Sequence, residues 1–324
     1  MLNKKTISVL EKFQNKVIPI SEAIHFVDGK VYTTDLENFC IYKRQGKEKD
    51  FGVNIKDLKK VLSRTDIEDI SLTTDYKVSL TAGKKVFNFA PYTEDFIKIP
   101  QIESEHIGIL EITKEILGLK NFVSKDDLRP TMTGLHWSNK NSELVATDAY
   151  ILKRVETCIK PSKDLLINSA VFNIPEGLYD VYESQEYITF ENKEFIFMIK
   201  DTGYTYPNYK AIIPTDFNQK LEVGYKYFVE CLNDALICAN SYTSKGVIDG
   251  NILKSEDLDM QSSFKCELMA KETSSFAFGF NIKFMLSALK EIRNADVVTI
   301  DLVSENRAMI INGNTLLMPL MINN

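Results

Sequence analysis

Three histidines, five cysteines and one acidic run are the residues of this chain whose types suit chemistry. His25, His106 and His136 stand far apart, and none has a second His or Cys at metal-ligand spacing. Cys40, Cys158, Cys231, Cys238 and Cys266 are odd in number and include no CxxC. That pattern reads as reduced core thiols rather than a disulfide framework or a zinc site. Cys231 and Cys238, seven apart on one predicted helix, share a face and suit packing. Glu256-Asp257-Leu258-Asp259 has the ligands for a divalent cation and, with one, for metal-dependent work on nucleic acid. Acidic runs of this kind are more often solvated loops. Thr34-Asp35 and Thr147-Asp148 pair a hydroxyl with a carboxylate, as a hydrolase would. Their occurrence twice points instead to a turn that two copies of one fold both need. No GxSxG, HExxH, Walker loop or GxGxxG is present. The residues describe a scaffold, not an enzyme, and imply no metal and no cofactor.

The elements that would carry these residues recur. Val53-Asn54-Ile55-Lys56, followed by Leu58, Val61 and Leu62, returns 227 residues later as Phe280-Asn281-Ile282-Lys283, followed by Leu286, Ala288 and Leu289. A β-type run follows each copy, Ile70–Thr73 and Val298–Asp301. Thr34-Asp35 ahead of Tyr42-Lys43-Arg44 returns 113 residues later as Thr147-Asp148 ahead of Leu152-Lys153-Arg154. Tyr92-Thr93, Phe96, Lys98 and Ile99-Pro100 match Tyr204-Thr205, Tyr209, Lys210 and Ile213-Pro214. Three anchors agreeing on one period make the chain three copies of a unit of about 110 residues. The boundaries follow Pro100 and Pro214, giving domains 1–101, 102–215 and 216–324.

Each unit reads helix, strands, helix, strands. Apolar positions at helical spacing predict first helices over 4–14, 112–123 and 228–239, and second helices over 54–63 and 281–292. Asn54 and Asn281 are the expected N-caps. The matching middle segment, 167–182, holds Pro175 and Gly177, so its helix is short or kinked. Alternating runs such as Lys85–Phe89, Tyr187–Phe190, Phe195–Ile199 and Arg307–Ile311, with Gly83 and Asn192-Lys193 at hairpin tips, predict antiparallel strands. The fold class is α+β, a helix-on-antiparallel-sheet unit in three tandem copies. No apolar run approaches the ~18–20 residues that span a bilayer, and the N-terminus does not read as a signal peptide, so the cytoplasm is the expected compartment.

A net charge of −6 excludes a protein that coats nucleic acid with its whole surface, but not one with a local basic face. Lysine and arginine recur opposite the apolar stripes, at Lys56, Lys59, Lys60 and Arg64, at Lys114, Lys120 and Lys125, and at Lys283, Lys290 and Arg293. Helices laid side by side would turn these into one phosphate-facing surface.

Four stretches then carry a resemblance. Asp127-Leu128-Arg129-Pro130-Thr131-Met132-Thr133-Gly134, Val145-Ala146-Thr147-Asp148-Ala149-Tyr150-Ile151-Leu152, Tyr206-Pro207-Asn208-Tyr209 with Ile213-Pro214, and Leu317-Met318-Pro319-Leu320 follow the order and spacing of the bacterial sliding clamp, the β subunit of DNA polymerase III. The similarity is strongest over residues 90–324. It implies the DNA clamp fold, closing as a head-to-tail homodimer into a ring around double-stranded DNA held without sequence preference, with a DNA polymerase and a clamp loader as partners and no membrane. Helix geometry also asks for the dimer. Six helices ~10 Å apart enclose a hole of about 9 Å, whereas twelve enclose about 28 Å, room for a duplex.

The resemblance further implies a partner-peptide groove between the second and third repeats, lined by Met132, Gly134, Thr147, Tyr150, Leu152, Pro207, Ile212, Leu316, Met318, Pro319 and Leu320. Lys56, Lys60, Lys114, Arg129, Lys283 and Lys290 are the expected DNA-facing residues. Phe87 and Phe89, with Leu236 and Ile237 of the third repeat, are the expected dimer interface. Departures from the family pattern are Ala149 at a common glycine, Ile151 and Ala211 at common arginines, and a tail running on to Met321-Ile322-Asn323-Asn324. They predict a more apolar groove. Two other readings remain at this stage: a repeat-built protein-binding scaffold that does not encircle DNA, and a metal-dependent enzyme using the 256–259 cluster.

Overall fold

A computed structural model describes residues 2–15, 17–43, 50–92, 96–292 and 295–322. Arg44, Thr93, Arg293 and Asn323-Asn324, which figure in the repeats, the basic faces and the tail, lie outside the described residues. Contacts group the chain into two compact units: Met1–Lys114 with Trp137–Ser142 and Thr157–Gly203, and Glu115–His136 with Glu143–Glu156 and Tyr204–Asn324.

The first unit is built on an eight-stranded sheet. Its order is Phe51–Asn54, Ala23–Val27, Lys30–Thr34, Phe39–Tyr42, Phe195–Lys200, Tyr187–Glu191, Gly177–Glu183 and Glu105–Ile112. Strands of the first two repeats are continuous here, because Phe39–Tyr42 pairs antiparallel with Phe195–Lys200 (Phe39 opposite Met198). A separate three-stranded sheet, Asp69–Leu72, Val78–Ala82 and Lys85–Phe89, ends at Lys85–Phe89 as an edge.

The second unit repeats the plan. A strand series runs Glu143–Thr147, Ile151–Glu156, Thr315–Leu317, Met309–Ile311, Val297–Leu302, Gln219–Gly224 and Ala270–Glu272. Its join between repeats is Leu152 opposite Leu316. A four-stranded sheet, Ser262–Glu267, Ile252–Asp257, Lys245–Asp249 and Phe278–Asn281, ends at Ser262–Glu267 as an edge. The compact units therefore cut across the repeats, since inter-strand hydrogen bonds tie the last strand of one repeat to the third strand of its neighbour.

The helices form where apolar stripe and cap coincide. In Ile55–Leu62 the buried residues are Ile55, Leu58, Val61 and Leu62, and Asn54 Oδ1 accepts from Lys56 N at 2.9 Å. In Ile282–Lys290 they are Ile282, Met285, Ala288 and Leu289, and Asn281 Oδ1 accepts from Phe284 N at 3.2 Å. Each cap removes an orphan amide donor. Tyr225–Cys238 is the longest helix described, 14 residues with Phe228, Cys231, Leu232 and Ala235 buried.

Two helical expectations need correction. The stretch 112–123 is helical only over Lys114–Gly118, with a 3-10 turn at Leu119–Asn121. Ile112 instead ends a strand that pairs with Gly177. Residues 167–182 reduce to a 3-10 turn at Ser169–Asn173, after which Gly177–Glu183 is a strand. Pro175 prevents continuation of the helix.

Candidate partner groove and repeat junctions

The Thr-Asp pairs build the same turn twice. Thr34 Oγ1 accepts from Leu36 N at 3.0 Å, and Asp35 Oδ1 accepts from Glu37 N and Asn38 N. Thr147 Oγ1 accepts from Ala149 N at 3.1 Å, and Asp148 Oδ1 accepts from Tyr150 N and Ile151 N at 2.9 Å each. The third turn residue is left-handed in both, Leu36 at φ 88° and Ala149 at φ 79°. Desolvation holds the Asp148 carboxyl above its ordinary range, against its backbone hydrogen bonds and the charge of Arg129. The turns are structural, and they set Phe39 opposite Thr34 and Leu152 opposite Thr147.

This register corrects one repeat anchor. Lys153 is equivalent to Cys40 and Arg154 to Ile41, so Lys43-Arg44 stands three residues beyond the true match. Cys40 and Lys153 are both fully buried. Lys153 Nζ lies 3.2 Å from Glu115 Oε1.

At the junction in the second unit, Val145, Leu152, Tyr209, Ala308, Ile310 and Leu316 form one apolar cluster, with Tyr206, Ile213 and Met318 packed on it. Met318 N donates to Tyr150 O at 2.9 Å, and the Tyr150 ring stacks on Phe284 at 5.9 Å. Leu320 N then donates to Gly279 O at 2.8 Å. A side chain at Gly279 would bring its Cβ to 2.5 Å from Leu320 O, so the tail's path requires glycine there. All eleven residues expected in the groove lie within the second unit. Tyr150 and Ile212 are exposed, while Met132, Pro207, Met318, Pro319 and Leu320 are half-buried. Gly134, Thr147, Leu152 and Leu316 are buried, and Leu152 and Leu316 belong to the apolar cluster on which Met318 packs. Ile151 is 1% exposed, so this position offers no groove-side surface.

The sequence reading missed the charged rim. Glu143, 4% exposed, accepts from the Tyr209 hydroxyl at 2.5 Å, with Lys210 Nζ at 2.9 Å and Arg154 at 3.5 Å. Only its partners on a neighbouring strand, Arg154, and on the 3-10 turn Tyr209–Ile212, invisible in linear spacing, reveal a buried carboxylate there.

The corresponding junction in the first unit is an internal control. Tyr32, Phe39, Ile41, Tyr187 and Met198 form the equivalent cluster, covered by Ile97, Ile99 and Ile102. Lys200 takes the place of Met318 and Glu37 that of Tyr150, and the two form an ion pair at 3.0 Å. One fold position is closed by charge in the first junction and left apolar in the second.

No protein-family model matches the chain. Curated relatives named beta sliding clamp are 24% identical: that of Bacillus subtilis (strain 168) over 254 residues, 71% of this chain and 67% of that protein, and that of Staphylococcus aureus (strain N315) over 261 residues, 73% and 69%. The solved DNA polymerase III beta subunit of Thermotoga maritima superposes with a TM-score of 0.83 at 21% identity, covering 98% of this chain and 96% of that one. The beta subunit from DNA polymerase of Streptococcus pyogenes gives 0.84 at 14% identity, covering 98% and 96%. The chain has the sliding-clamp fold.

On that clamp fold, the expected DNA-facing cations occupy helices and loops of both units. Lys56 pairs with Glu22 at 2.7 Å, and Lys60 with Asp57 at 2.9 Å. The Lys56 hydrogen bond lowers the Glu22 pKa, and Glu22 raises that of Lys56. Arg129 sits 3.5 Å from Asp126, and Lys114, Lys283 and Lys290 are exposed. Phe87 and Phe89 are half-buried on the edge Lys85–Phe89, facing with Val78 and Leu80. Ile237 is 80% exposed and Leu236 half-buried. In the acidic cluster, Asp257 Oδ1 accepts from Asp259 N and Met260 N, and Oδ2 from Asn240 Nδ2. Asp257 is a turn-former, and no group of three or more metal-ligating residues occurs among the described residues. No described helix is long and apolar enough to cross a membrane.

Proposed function

We propose that the chain is a DNA sliding clamp: a processivity factor that closes as a head-to-tail homodimer around duplex DNA and tethers a polymerase through the groove at its second junction. The three sequence repeats are its domains. It binds phosphates through lysines and arginine without reading bases, so retention is topological. Opening the ring falls to a clamp loader, and this mechanism asks no catalytic residue of the chain.

The observation that carries the reading is the pair of open edges. Within each unit, the third strand of one repeat half pairs with the last strand of the next repeat, at Phe39–Met198 and Leu152–Leu316. By the same topology Ser262–Glu267 wants a partner like Lys85–Phe89, and both stand unpaired at sheet edges. Unpaired edges bearing half-buried phenylalanines favour association. Thr33 Oγ1 donates to Leu10 O as Ser255 Oγ donates to Ala235 O, which makes Phe264 the equivalent of Cys40. Cys40 faces Phe197, and the hairpin tips make Phe87 the equivalent of Phe197. Phe264 of one copy therefore faces Phe87 of a second. Phe87→Cys with Phe264→Cys should give a disulfide-linked species on a non-reducing gel under mild oxidation. Neither single variant should do so. Absence of the species in a folded protein would misplace the seam.

A further inference from the structure

The repeat has a third junction face, and its chemistry differs from the other two. The outward positions occupied by Tyr32, Phe39 and Ile41 in the first junction, and by Val145, Leu152 and Arg154 in the second, become Lys254, Ser263 and Lys265 in the third. These line a cavity of about 440 Å³ together with Lys245, Val247 and Ile322. Asp249 and Glu256 also line it. Asp249 is already matched by Lys254 Nζ at 2.8 Å, which leaves Lys245 and Lys265 set against Glu256.

The first two faces are each covered by a segment of the chain, irregular over 97–102 and including a 3-10 turn at Tyr209–Ile212. Ile97, Ile99 and Ile102 cover the first, with the Tyr32 hydroxyl donating to Ile97 O at 2.7 Å. Tyr206, Tyr209 and Ile213 cover the second. Over the third, only Ile322 lines the cavity from outside the sheet strands and the Ala277 turn, among the described residues. We propose that this third face is a docking cleft for an extended acidic segment of a partner protein, with apolar side chains seated on Val247 and Ile322 and carboxylates on Lys245 and Lys265. The sheet supplies the face that chain segments cover at the other two junctions, and the lysines supply the charge preference. The cleft is distinct from the apolar groove at Met318. The cleft shares the edge strand Ser262–Glu267 with the proposed seam but uses its outward side, at Ser263 and Lys265, whereas Phe264 of the seam lies on the other side, so the two can fail separately.

The test uses the full chain and a fluorescein-labelled decapeptide of alternating glutamate and leucine, with a lysine–leucine peptide as control, read by fluorescence anisotropy at low salt. The acidic peptide should bind and the basic one should not. Lys245→Glu with Lys265→Glu should weaken binding roughly tenfold, the scale of two exposed charge reversals. Met318→Asp should leave it unchanged, and circular dichroism should show each variant folded. Three results would overturn the proposal: no binding of the acidic peptide, binding indifferent to the double reversal, or competitive displacement by linear duplex, which would make these lysines nucleic-acid contacts.

Discussion

Ala149 holds a left-handed backbone, φ 79°, in the turn that presents Tyr150 and Leu152. An L-residue there costs roughly 1–2 kcal/mol, while glycine gives back about 0.5–1 kcal/mol in unfolded-chain entropy. Ala149→Gly should therefore stabilise the protein by about 0.5–1 kcal/mol in urea unfolding; a loss of stability would show that the turn is not strained. Burial sets a second residue-scale effect. His25 is fully enclosed, its Nε2 3.0 Å from Ile20 O, its ring against Tyr32 and Phe96. Desolvation lowers its pKa to about 4. The unfolded chain, titrating near 6.5, then binds more protons than the native state between those values. Stability from neutral His25 is present above pH 6.5 and lost as pH falls toward 4, by about 3 kcal/mol at most. His25→Gln should remove most of that slope in urea midpoints measured from pH 7 to 4.5. An unchanged slope would assign it to other groups. At this scale the sequence was partly legible: doubled Thr-Asp disclosed a turn, but nothing in linear order disclosed buried His25, buried Lys153 or the Glu143 rim. Those depend on which strands become neighbours.

Among the elements, the best-read were those with a single strong period. Lys85–Phe89 has the expected bounds, and both asparagine caps hold their helices. The middle repeat was harder, because Ile112, Ile116 and Leu119 keep helical spacing while Ile112 serves a strand. Sheet pairing with Gly177–Glu183 overrode the local period. The tail shows what an element does beyond its own hydrogen bonds. Met318 and Leu320 are held by Tyr150 O and Gly279 O, and in the proposed groove they would be one wall. Gly279→Ala should displace Leu320 and weaken binding of a short labelled peptide carrying two large apolar side chains. Such a peptide gains ~3–6 kcal/mol from burial before ordering costs, so that burial alone supports a Kd of about tens of micromolar at best. Met318→Asp should weaken it further. Leu152→Asp is unsuitable, because Leu152 is buried and a charge there would disturb the core. Full affinity in both folded variants would remove the groove from this face.

For the whole molecule, three-fold repetition was legible from spacing, but not the way sheets run across the repeats. Composition is silent on that, since strand pairing between distant segments leaves no local period. Phe87→Asp should leave a folded monomer by light scattering at low micromolar concentration. Neutralising Lys114, Lys283 and Lys290 together should flatten the dependence of log affinity on log salt by about 0.9 per lost phosphate contact, equally for unrelated duplexes. A marked sequence preference in the parent protein would contradict backbone-only binding. The central claim is encirclement, and the paired cysteines at Phe87 and Phe264 test it without a loader. The reduced double variant is mixed with nicked circular duplex, oxidised to seal both seams, and passed through a sizing column at high salt. Sealed protein should travel with the circle and be released when a single cut linearises it. Equal loss from circle and linear duplex would show that the chain does not enclose DNA.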